Sequence, residues 1–198
     1  MKKQRLIALD VFRGFTIALM IIVNSPGNWG NTFAPLLHAN WNGITLTDFV
    51  FPSFIFIVGV SIVLSQQNKG TSSSIKSIIL RSIKIFSLGV FLGFFTEFMY
   101  HVVGEGKSFN FSDIRIPGVL QRIAIVYLFC ALMYNYSNWF QQLVIMQILL
   151  IFYYLCMQFI PVPGIGPGVL GPGKNLAAYI DSILIPGSMW EGTWDPEG

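Results

Sequence analysis

A small set of polar residues stands out against long apolar runs, and their types and spacing suggest specific chemistry. His38 lies in the segment His38-Ala-Asn-Trp-Asn-Gly43, and Asp48 follows ten residues later. Imidazole is the side chain best suited to proton transfer or nucleophilic attack near neutral pH, and Asp48 is a carboxylate that could orient it. Taken alone, His38 reads more readily as an ordinary polar loop residue than as a catalytic one. His101, the other histidine, sits at the end of an apolar run and reads as a satisfied polar group. Asn24 is followed by Ser-Pro-Gly. Its amide either ends a helix stopped by proline or donates a hydrogen bond within a site.

Charges buried in apolar runs come next. Asp10 and Arg13 are three residues apart and share a helix face. They read either as a self-neutralising pair with a snorkelling arginine or as a site for an anionic ligand. Glu97, Asp113, Arg115 and Arg122 fall near the ends of two further runs, where ion pairing between helices is the simplest account. Arg122, more than a turn past Pro117, needs a partner or a watery cavity. Cys130 and Cys156 read as small apolar packing residues. Two histidines and two thiols on separate runs are too few for a metal site, so none is expected. The sequence has no phosphate-binding loop, dinucleotide glycine fingerprint or serine nucleophile elbow.

Composition identifies the elements that must hold these residues. Of 198 residues, 54% are hydrophobic and 11% charged, against about 25% charged in soluble domains. This excludes a disordered chain, a secreted disulfide scaffold and a nucleic-acid binder, and makes the lipid bilayer the chain's main partner. A spanning helix needs about 20 mostly apolar residues. Five segments qualify: 6–23, 44–66, 78–102, 118–134 and 139–160. The last two divide one uncharged run at Asn135-Tyr-Ser-Asn138. Asp10 and Arg13 interrupt the first segment, so it reads as a retained span rather than a cleaved signal. The fold class expected is all-α, a polytopic membrane helix bundle. Gly89 and Gly93, four apart in the third span, read as a close helix-packing site.

Residues 1–160 therefore read as a five-helix transmembrane region and 161–198 as an extracytoplasmic appendage. Nine of the thirteen residues from Pro161 to Gly173 are Pro or Gly, so that stretch is a loop. Asn175 to Ile185 follows as a short amphipathic helix lying at the interface. Eight Lys and Arg residues collect on the side of the N-terminus and the 67–77 turn, against four on the other. The N-terminus is then cytoplasmic, with His38 on the far side.

These residues together resemble a known family. Leu9-Asp-Val-Phe-Arg-Gly14 with Val23-Asn24, His38-Ala-Asn-Trp-Asn-Gly43, Thr47-Asp-Phe-Val-Phe-Pro52 and Phe56-Ile-Val-Gly59 occur in order. Arg115-Ile-Pro-Gly-Val-Leu-Gln-Arg122 and Trp194-Asp-Pro-Glu-Gly198 complete the series. The whole chain is similar to the transmembrane acyltransferases related to heparan-α-glucosaminide N-acetyltransferase. The resemblance implies a bacterial inner-membrane enzyme that moves an acetyl group from cytoplasmic acetyl-CoA to an amino sugar on the far side. It places the family's essential histidine at His38 and the asparagine beside the acetyl group at Asn24.

With that chemistry in view, Asp48 would orient His38, and Asn24 would donate to the developing oxyanion. Arg13, with Asp10 beside it, and Arg81 and Lys84 would hold the coenzyme phosphates. Trp41, Asn42, Glu97, Arg115 and Arg122 are candidates for the sugar side. A second copy of the chain is a candidate partner. Family members carry further helices, so the chain is expected to be an N-terminal part and to be less competent alone. Two other classes were weighed: a secondary transporter, which internal repeats would favour and the sequence lacks, and a non-catalytic membrane interaction subunit.

Overall fold

A computed structural model describes residues 6–69, 73–103, 118–185 and 189. Among the described residues helices are the regular elements, and there is no strand. Five long helices are apolar and long enough to cross a membrane: α1 (Ile7–Asn24), α2 (Val50–Lys69), α3 (Ile75–Val103), α4 (Val119–Tyr136) and α5 (Trp139–Phe159). A shorter α6 follows at Leu176–Leu184. The protein is thus an all-α, polytopic integral membrane protein. It divides into two compact units, Met1–Ile75 and Lys76–Gly198.

In the first unit α1 packs on α2. Phe12 meets Phe56 edge-on, with ring centroids 6.4 Å apart. Val23, Val50, Ile57 and Ile62 are buried apolar residues of this unit. Thr16 is buried on α1 and satisfies its hydroxyl on the Phe12 carbonyl one turn back, at 2.8 Å. The 25-residue connection between the helices carries three short 3-10 turns: Trp29–Asn31, Ala34–Leu36 and Thr47–Phe49. Asn28 caps the first through Gly30 N, and Pro35 sits in the first positions of the second. The second span was expected from residue 44, yet α2 begins at Val50 behind the Thr47–Phe49 turn. The reason is local: Asp48 accepts from the Thr45 backbone N–H as the residue three after an N-cap does, which places Thr45 ahead of the first helical turn rather than inside it.

In the second unit α3 runs for 29 residues, about 43 Å at 1.5 Å per residue, longer than the roughly 30 Å hydrocarbon layer. It meets α4 where Ser82 Oγ donates to the buried Ala124 carbonyl at 2.9 Å. Farther along, a Cβ placed on Gly89 would lie 2.6 Å from Gln121 Oε1 and 2.9 Å from Leu120 Cβ. Glycine at position 89 is what lets α4 approach α3 here. As α3 advances from Ser82 to Gly89 its contacts move back along α4 from Ala124 to Leu120, so the two helices are antiparallel. Ser137 and Asn138 make the turn to α5, which opens with a full capping box: Asn138 accepts from Gln141 N and Gln141 Oε1 accepts from Asn138 N, both at 2.9 Å. None of the residues of α5 is buried, as befits a helix facing lipid. The Gly/Pro-rich stretch turns on itself through a bridge between Val162 and Gly166. Asn175 then caps α6 by accepting from Ala178 N at 2.8 Å.

Candidate active site

His38, Ala39 and Thr45 of the first unit converge on Asp48. Its Oδ1 accepts from His38 Nδ1 at 2.7 Å. Its Oδ2 accepts from Thr45 N at 2.8 Å and from Ala39 N at 3.3 Å, and lies 2.9 Å from the Thr45 hydroxyl. The carboxylate therefore has a donor on each oxygen and cannot rotate without losing several bonds at once.

The arrangement follows from local sequence. Thr45-Leu-Thr-Asp48 has the spacing of a capping box ahead of an apolar run, and the Thr45 N–H to Asp48 bond is half of one. The sequence carries that signal, but apolar Ile44 and Leu46 on either side of Thr45 make it look like part of the span, so Thr45 is not among the expected residues. Gly43, at φ 124°, bends the backbone in a region that favours glycine and returns the chain so that Thr45 reaches the Leu37 carbonyl at 2.7 Å. His38 is thereby held from its own backbone side and from its ring.

An ionised carboxylate only accepts, so the Asp48 bond draws the imidazole proton to Nδ1. Nε2 then carries the free lone pair. The His38 side chain is 67% exposed while Asp48 is 24% exposed, so the reactive edge is open to a ligand and its orienting partner is sheltered. A base or nucleophile held by a third group in this way is the shared logic of nucleophilic catalytic sites.

The other expected residues take up simpler positions. Asn24 ends α1, and its Nδ2 donates to the Met20 carbonyl one turn back at 2.9 Å, leaving one amide proton and the oxygen of the side chain outside that bond. Arg13 Nη1 lies 3.6 Å from Asp10 Oδ1, and Nη2 donates to Ser61 Oγ on α2 at 3.1 Å. This polar pair thus reaches the neighbouring helix as well as its own. Trp41 is half-buried and Asn42 exposed in the loop that carries His38.

Arg81, Lys84, Glu97 and Arg122 belong to the second unit. Arg81 and Lys84 are exposed on α3, and the Arg81 guanidinium sits 5.0 Å above the Tyr127 ring of α4, a cation–π contact that sequence spacing did not disclose. Glu97 and Arg122 are partly buried. Arg115, Asp113, Lys107, the N-terminal Lys2, Lys3 and Arg5, and the closing Trp194-Asp-Pro-Glu-Gly198 lie outside the described residues. Among the described residues no group of three or more His, Cys, Asp or Glu is placed to hold a metal ion.

Known proteins are similar to this chain. The mouse (Mus musculus) heparan-alpha-glucosaminide N-acetyltransferase is 31% identical over 246 aligned residues, covering 98% of this chain and 36% of that protein. The human (Homo sapiens) protein of the same name is 30% identical, covering 98% of this chain and 35% of its own. The chain therefore spans about a third of the length of these relatives. Residues 5–174 match the family described as heparan-alpha-glucosaminide N-acetyltransferase, catalytic, a stretch that contains α1 to α5 and the His38–Asp48 pair. The chain belongs to this family of membrane acetyltransferases.

Proposed function

We propose that the protein transfers an acetyl group from cytoplasmic acetyl-CoA to the amine of an amino sugar on the opposite side of the membrane, with His38 as the reacting side chain. The observation that supports this reading most strongly is the 2.7 Å bond between His38 Nδ1 and Asp48 Oδ1, which leaves an exposed imidazole with its Nε2 lone pair free. Family membership supplies the reaction class.

Acetyl-CoA, when bound, supplies an activated acyl thioester. The donor set fits it: an oriented imidazole suits an acyl carbonyl, and a basic side chain suits coenzyme phosphates. Two routes use the same pair. In the first, His38 Nε2 takes the proton from the sugar amine as its nitrogen bonds to the acetyl carbon, and returns it to the departing thiolate. In the second, Nε2 itself bonds to the acetyl carbon as the carbon–sulfur bond breaks. The amine nitrogen then displaces the imidazole, whose Nε2 takes the amine proton and passes it to solvent, balancing the proton taken up by the departed coenzyme thiolate. In both, Asp48 stabilises the positive imidazole formed in passing and holds its orientation.

Asn24 is assigned to the developing oxyanion through the amide proton not bonded to Met20. Such donors contribute about 2.7–4 kcal/mol in other enzymes. Arg13 is assigned to a coenzyme phosphate, with Asp10 and Ser61 fixing its guanidinium, and Arg81 and Lys84 on α3 are assigned the same kind of ligand. Ser61 lies thirteen residues after Asp48, about 20 Å along the helix. Within this unit a group bound at Arg13 and a group reacting at His38 thus occupy different depths, as transfer across a membrane requires. Trp41 and Asn42 flank His38 and are the residues assigned to the sugar.

Sealed vesicles of defined orientation test the proposal. Labelled acetyl-CoA supplied to the face bearing the N-terminus, with glucosamine confined to the other, is expected to give N-acetylglucosamine. Product only when both compounds are on the same face would overturn the transmembrane reading.

A further inference from the structure

We infer that Thr45 is a positioning residue for His38, acting through its side-chain hydroxyl. The inference rests on the proposed acetyl transfer and adds a residue to it. The Thr45 hydroxyl lies 2.7 Å from the Leu37 carbonyl and 2.9 Å from Asp48 Oδ2. Both are acceptors and the hydroxyl has one proton, so it serves one at a time. Its backbone N–H binds Asp48 Oδ2 independently at 2.8 Å.

The consequence is a division of labour within one residue. The Thr45 N–H, together with that of Ala39, holds Asp48 Oδ2 without the hydroxyl. The hydroxyl is free to reach the peptide carbonyl immediately before His38, across seven intervening residues without regular secondary structure. Leu37 itself is extended, with φ −97° and ψ 153°, and nothing helical fixes the direction in which His38 leaves it. The hydroxyl therefore sets the backbone from which the imidazole projects, while Asp48 sets the ring. A second role follows from the shared proton. With the hydroxyl on Leu37, Asp48 Oδ2 keeps only its two backbone donors and presents more negative charge to the imidazole. With the hydroxyl on Asp48, that charge is partly withdrawn. The hydroxyl can accordingly move toward Leu37 as His38 gains a proton during transfer, strengthening the support when it is needed.

The test compares Thr45→Val and Thr45→Ala, which lose the hydroxyl and keep the backbone N–H, with Thr45→Ser, which keeps both. His38→Ala is assayed beside them, with rates of acetyl transfer normalised to inserted protein. Loss of the hydroxyl is expected to lower kcat about tenfold with KM for both substrates nearly unchanged, because misplacement of a reacting group acts on the transition state. Thr45→Ser is expected to restore the wild-type kcat. Wild-type kcat in the two hydroxyl-free variants, or Thr45→Ser as impaired as Thr45→Val, overturns the inference and leaves the acetyl-transfer reading standing. Full activity in His38→Ala overturns that reading itself.

Discussion

Asp48→Asn keeps the size of the side chain and changes only which of its atoms accept. The amide has two orientations and neither satisfies the surroundings. With its oxygen toward His38, its NH2 faces the Thr45 N–H, a donor 2.8 Å from the present oxygen, and the Ala39 N–H at 3.3 Å. Two charge-assisted bonds are lost, each worth about 1.5–3 kcal/mol where the acceptor is ionised. With its NH2 toward His38 Nδ1, the imidazole must move its proton to Nε2, and the base or nucleophile disappears from the exposed edge. Either way the positive imidazole formed during transfer loses its counter-charge. A combined cost of about 3–5 kcal/mol to the transition state corresponds to roughly 10²–10⁴ in rate at 1.36 kcal/mol per tenfold. The assay is the initial rate of acetyl transfer from labelled acetyl-CoA at saturating substrate, normalised to inserted protein. A kcat within about threefold of wild type, with normal insertion, would refute the assignment of Asp48 as the partner that orients His38.

Two further outcomes concern the scaffold. Gly89→Val brings a branched side chain to a point where even a Cβ lies 2.6–2.9 Å from Gln121 and Leu120. The α3–α4 contact should weaken by about 1–3 kcal/mol, and the purified protein should melt earlier in detergent; an unchanged melting temperature would show that α4 is not held at this point. Asn138→Ala removes the capping box at the start of α5 and should cost about 0.5–2 kcal/mol, seen as faster hydrogen exchange at Gln141 N; unchanged exchange there would show that the cap does not protect that amide.

Much of this was legible before any coordinates, because lipid imposes simple rules on composition. The five spans and the short α6 begin and end within a few residues of where apolar run length and turn residues placed them, apart from the start of α2. That start was read too early because apolar Ile44 and Leu46 look like helix, while Thr45 and Asp48 use the backbone for a half capping box. The His38–Asp48 partnership could be named from the chemistry of the two residues, but not its geometry, since ten residues of irregular chain permit many closures. Thr45 was missed because a threonine inside a span expected from residue 44 reads as filler until its two acceptors are seen. Arg81 illustrates the opposite limit: its charge was visible, whereas Tyr127, its partner ring, lies 46 positions away on another helix. Asn24 reads as a helix end in the sequence and is the last residue of α1, where its Nδ2 also binds the Met20 carbonyl.

The central claim is that the imidazole of His38 carries the acetyl-transfer step. It is tested most directly by the rate of acetyl transfer from labelled acetyl-CoA to glucosamine in membranes holding equal amounts of wild-type protein and of His38→Ala. The account expects His38→Ala to fall to the rate of membranes lacking the protein while its insertion is unchanged. Acetyl transfer by His38→Ala at the wild-type rate would contradict it.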